Sequence, residues 1–71
     1  MEYKKISELT DRQKGHLAWR LDNNKTYVGM LTAARIARGE YGDLPVNKVF
    51  EKADMKPHQA KIHARKVENF K

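Results

Sequence analysis

Two prolines twelve positions apart, Pro45 and Pro57, set the tightest limit on how this chain folds. A proline lacks the backbone donor that a helix interior needs, yet its fixed φ suits a helix's first position. Between them Val46, Val49, Phe50 and Ala53 fall at i, i+3, i+4 and i+7, the apolar stripe of one short helix. The region therefore reads as a helix over about 45–53, a tight turn at Asp54-Met55-Lys56, and a further helix over about 57–70.

Two more helices precede these. Thr10 and Gln13 have the spacing of a capping box, which starts a helix over about 11–22 just after Ile6 and Leu9. Leu17 and Leu21, with Ala18 beside them, share one face, and Trp19 projects from nearly the opposite side. Trp19 is nonetheless expected inside, because a chain with six Phe, Trp and Tyr residues needs most of them in its core. After the polar turn Asn23-Asn24-Lys25, Thr26 caps a helix over about 27–38. Tyr27, Met30, Leu31, Ala33, Ala34 and Ala37 give this helix a wide apolar face, so it is expected at the centre. Gly39 stops it, and Gly39-Glu40-Tyr41-Gly42 reads as a loop that needs two conformationally permissive residues. The expectation is an all-α fold: one domain over 1–71, a compact bundle of about four short helices.

Function classes are narrowed by what is missing. The chain has no cysteine for a disulfide framework or a thiolate metal cage, which points to a reducing cytoplasm. No stretch has the length of a signal-peptide core or a membrane span, so neither export nor embedding is expected. His58 and His63 stand about 140° apart round a helix and cannot chelate one ion together, so no metal site and no cofactor are expected. Ser7, the lone serine, lies near an end expected to fray, and neither paired carboxylates nor a glycine-rich phosphate loop is evident. The chain is expected to bind rather than catalyse.

The net charge of +6 is unevenly spread: residues 56–71 hold five basic groups against Glu68 alone, a net of +4. On a helical wheel Ala60, Ala64 and Val67 take one side of the last helix, while His58, Lys61, Arg65 and Asn69 take the other. That second side, with Lys56 at its start, is the candidate contact surface. Lysine and arginine there suit phosphates, and Arg65 and Asn69 have the donors that read guanine and adenine edges. The same residues also fit a solvated face that merely complements the helix dipole. Ile62 fits neither side, and is either core at the edge of the stripe or a partner contact.

The run from Val49 to Ala60 resembles the bacterial helix-turn-helix pattern, with Ala53 as the small residue ending the first helix, Asp54 as the left-handed turn residue and Met55 as the apolar plug. Phe50 departs from it by standing where a small residue is usual, and Asp54 by replacing the commoner glycine. The resemblance spans Val46 to about Val67 and implies that the last helix reads DNA. The phrases HLAWRL, GMLTAARIARGEYGD and PHQAKIHARKV look like short proteins of Bacillus-type bacteria and their phages, which implies a bacterial or phage-infected cytoplasm.

Two functions follow as expectations. The first is a DNA-binding regulatory protein acting through the last helix on double-stranded DNA, as a homodimer formed through Trp19 or Ile62. The alternative is an adaptor or inhibitor whose basic helix docks on an acidic protein surface. RNA binding ranks lower because no exposed aromatic row is evident, and attachment to lipid because the apolar side of the last helix is mostly alanine.

Overall fold

The first two α-helices begin where side chains replace missing backbone partners. Thr10 accepts the Gln13 N–H at 3.1 Å while Gln13 Oε1 accepts the Thr10 N–H at 2.9 Å, and Thr26 accepts the Gly29 N–H at 3.0 Å. A computed structural model describes residues 3–71 of the chain, as a short 3-10 turn at Ile6–Glu8 followed by α1 (Asp11–Asn23), α2 (Tyr27–Ala37), α3 (Val46–Lys52) and α4 (Pro57–Glu68). The architecture is an all-α bundle.

Pro57 occupies the first position of α4, but Pro45 sits one residue ahead of α3 in extended conformation. The cause is the amino-terminal segment, which pairs there: Lys5 and Pro45 form an antiparallel bridge, and the Val46 N–H donates to the Lys4 carbonyl at 2.9 Å. Ile6 donates to the Leu44 carbonyl at 3.0 Å and Ser7 to that of Gly42 at 3.1 Å. These bonds tie the chain down at Ser7, and the end expected to fray, residues 1–2, lies outside the described residues.

Left-handed residues close α2 and α3. At Gly39 (φ +88°) the Glu40 N–H returns to the Arg35 carbonyl at 3.0 Å and the Gly39 N–H to that of Ile36 at 2.9 Å, a Schellman motif. Asp54 (φ +65°) repeats it after α3, with Met55 bonded to Phe50 at 3.2 Å and Asp54 to Glu51 at 3.1 Å. The apolar pair that usually accompanies the motif is present too, since Phe50 and Met55 are both buried. In the α2–α3 loop the second left-handed residue is Tyr41 (φ +63°), not Gly42. Its phenol accepts a hydrogen bond from Arg35 Nη1 at 2.9 Å, its ring packs against the core, and the Lys52 ammonium lies 5.6 Å from the ring centroid. Together these hold a conformation that tyrosine alone disfavours.

The core lies among α1, α3 and α4. Leu17 and Leu21 meet Val46, Val49, Phe50, Ala53 and Met55, and Ala60, Ala64 and Val67 close it from α4; Ile6 and Leu9 seal the amino-terminal side. α2 is not central. It rests chiefly on α1 through Gly29, Thr32 and Ala33, and Gly29 comes so close that a β-carbon there would stand 2.6 Å from the Leu21 carbonyl oxygen. Two of its larger apolar residues consequently face outward, Tyr27 79% and Met30 57% exposed, while Ile36 is half-buried against the core. Among the described residues no helix is long and apolar enough to cross a membrane.

Candidate functional site

The Asp54 corner sets α4 against α3 with its alanine side inward. Ala60, Ala64 and Val67 are fully buried, and the outward side carries His58, Lys61, Arg65 and Asn69 as the wheel requires. These four line one shallow hollow of about 430 Å³ together with Ile62 and Lys66. Lys56, at the cap of α4, is exposed but outside that hollow. Ile62 forms part of its wall and is 46% exposed, so it is not core. The reason is angular: Ala60, Ala64 and Val67 already fill the side facing α1 and α3.

The hollow's remaining wall is Tyr3, which no sequence signal placed there. The Arg65 guanidinium lies 5.8 Å from the Tyr3 ring centroid, within cation–π range. Tyr3 reaches α4 because the Lys5–Pro45 bridge carries the amino terminus past it, and because the Lys4 N–H donates to the Glu68 carboxylate. A second hollow of about 460 Å³ shares Tyr3 and Lys61 and adds Lys5 and Lys48. The basic surface thus extends beyond α4 to residues far away in sequence.

Little neutralises it from within. Among the described residues the single ion pair is Lys48–Glu51, at 3.7 Å on the surface. Glu8, which also lines the second hollow, accepts the Lys5 N–H at 2.8 Å.

A different set of groups ties α4 to α1. Arg20 Nε donates to His16 Nε2 at 2.9 Å, and Arg20 Nη1 lies 2.8 Å from His63 Nδ1. Guanidinium has no acceptor, so both imidazole nitrogens must accept, which requires neutral rings protonated on their other nitrogens. Burial holds both histidines below their usual pKa, the Arg20 charge adds to this, and Lys66 adds further at His63. His63 also packs against Phe50, centroids 5.3 Å apart, so the bulky Phe50 has a partner on α4.

Trp19 is 57% exposed, which corrects the expectation of burial. Leu17 and Leu21 take the inward side of α1, leaving the opposite side to solvent. There Trp19 stacks on His16 at 5.7 Å, and His16 stacks on Phe70 at 4.1 Å with rings 1° from parallel. Arg12 lies 5.7 Å from the Phe70 centroid. An aromatic row is therefore exposed after all, assembled from α1 and the chain's last turn, which local sequence does not bring together.

No protein-family model, curated protein or solved structure matches the chain.

Proposed function

We propose that the chain is a non-enzymatic DNA-binding regulatory protein that lays the outer side of α4 against duplex DNA in the manner of a helix-turn-helix reader. One observation carries the reading. α4 follows a sharp left-handed corner at Asp54 and exposes Lys56, His58, Lys61, Arg65 and Lys66, and among the described residues no carboxylate lies within ion-pair reach of them. A helix packed on the body by its alanine side, with its cationic side turned outward by a fixed corner, suits a groove between two phosphate rows.

In this reading Lys56 and Lys61 neutralise phosphates near the start of α4, and Lys5 and Lys48 extend the track. Arg65 leaves Tyr3 to reach a base edge or a phosphate. Asn69 caps the far end of the helix, roughly 16 Å from His58 at 1.5 Å per residue, and meets the opposite side of the groove. Phe50 departs from the motif, and its ring packs against His63 of α4 with centroids 5.3 Å apart.

The test is binding of fluorescently labelled duplex over a series of salt concentrations. Affinity should fall steeply with salt, and Lys61→Ala combined with Arg65→Ala should lower the log–log slope by about 0.9 if Arg65 meets a base edge and by about 1.8 if it meets a phosphate. Absence of duplex binding at low salt would reject the proposal.

One feature favours the second reading, an adaptor docked on an acidic protein surface: Ile62 and Tyr3 put apolar area between the cations, and phosphate contacts have no use for it. Pull-down with nuclease treatment separates the two. A stoichiometric protein retained after nuclease supports the adaptor.

A further inference from the structure

The side of α2 turned away from α1 is apolar. On it Tyr27, Met30 and Ala34 are exposed and follow one another at i, i+3 and i+7, with Leu31 half-buried at one margin and Ala37 exposed at the other, where it lines a hollow with Lys14, Gly15 and Ala18 of α1. That is the a/d spacing of a helix seam. Gly29, Thr32 and Ala33, on the other side, already meet α1, so α2 has one partnered face and one unpartnered face. Arg35 does not intrude on the second, because its guanidinium is drawn aside to the Tyr41 hydroxyl.

We propose that a second copy of this chain covers this face, with the two α2 helices paired antiparallel about a twofold axis. Charge identifies the occupant. Residues 22–43 hold Asp22, Glu40 and Asp43 against Lys25, Arg35 and Arg38, a net of zero in a chain of +6. Two strongly cationic copies repel wherever their basic surfaces meet, and a neutral apolar face is where they can approach. A polyanion or an acidic partner is drawn instead to the α4 side.

Shape supports the same occupant. The bulky residues Tyr27 and Met30 lie toward the start of the seam and the alanines toward its end. A twofold axis sets the bulky half of each copy on the small half of the other, a self-complementary contact of the isologous kind. The antiparallel arrangement also sets the positive end of each helix dipole beside the negative end of the other. The pair differs from one built on Trp19 or Ile62, and it stands whether or not α4 binds DNA.

The experiment is sedimentation equilibrium of the full chain without nucleic acid, from micromolar to millimolar concentration. The wild type should move with concentration from the 8.3 kDa monomer to twice that mass. Ala34→Glu and, separately, Met30→Lys should raise the dissociation constant by about tenfold or more, each with the helical circular dichroism of the wild type. Both positions are exposed, so neither change disturbs the fold. Lys61→Ala should leave self-association unchanged or slightly stronger. A wild type that stays monomeric throughout overturns the proposal and leaves the face to a different partner, and so does a dimer that survives both seam substitutions.

Discussion

The close approach of α2 to α1 can be tested with two glycines that sit in neighbouring helices and should answer the same substitution with opposite signs. At Gly15 an added methyl group meets nothing within 4 Å, so Gly15→Ala should gain the ordinary helix-interior benefit of about 0.8–1 kcal/mol. At Gly29 the same methyl would stand 2.6 Å from the Leu21 carbonyl oxygen and 2.9 Å from Thr26 Oγ1. The Leu21 carbonyl belongs to the helix backbone and cannot swing aside as a flexible side chain can, so α2 would have to retreat by roughly 0.7 Å to reach an ordinary carbon–oxygen contact. Overpacking of this kind costs about 1–3 kcal/mol. Disturbing Thr26, which caps the Gly29 N–H itself, adds up to about 1 kcal/mol. After the propensity gain is subtracted, Gly29→Ala should destabilise by up to about 3 kcal/mol, with a middle value of about 1–2 kcal/mol. Urea unfolding followed by helical circular dichroism reads both values by linear extrapolation. If Gly29→Ala proves as stabilising as Gly15→Ala, the helices do not touch there and the outward orientation of Tyr27 and Met30 loses its cause.

Three further outcomes are expected. Because the folded pKa values of His16 and His63 lie below the ordinary 6.5, the unfolded chain takes up protons that the folded one resists. Stability should therefore fall as pH drops below about 6.5, read as a declining urea midpoint, and His63→Gln, whose amide oxygen can still accept from Arg20, should flatten the decline. Asp54→Gly should stabilise by about 0.5–1 kcal/mol by relieving the left-handed backbone, whereas Asp54→Val should destabilise by about 1–2 kcal/mol, and equal thermal midpoints for the two would contradict the corner. Gln13 Nε2 donates to the Glu68 carbonyl at 2.9 Å while its Oε1 completes the α1 cap, so Gln13→Leu should cost about 1–2 kcal/mol in urea unfolding, and a neutral result would remove this one of the links between α1 and α4.

The two faces assigned to partners lie on different helices and differ in kind. The α4 side is cationic, with Tyr3 and Ile62 set among the charges, and the α2 side is apolar and neutral in its surroundings. A dimer through α2 leaves α4 free on each copy. Self-association and duplex binding can therefore be measured separately, and a substitution on one face should leave the other reaction intact.

What could be read from the residues alone is whatever depends on contacts a few positions apart. The Thr10–Gln13 box, the Gly39 stop and the left-handed Asp54 all close rings within six residues, and the stripe of α3 and the alanine side of α4 follow from helical period. The outward basic residues of α4 are legible for the same reason. Period also announces an apolar face on α2, but it cannot say whether anything will cover it. That was decided by Gly29, which lets Leu21's backbone come close and turns Tyr27 and Met30 away. Tyr3 in the α4 hollow, the paired histidines on Arg20 and the exposed Trp19 beside Phe70 likewise depend on segments that meet only after folding. A helix's own sequence fixes which residues share a side, whereas burial belongs to the surface that arrives opposite, and in a chain of 71 residues there is too little interior for every apolar side to find one.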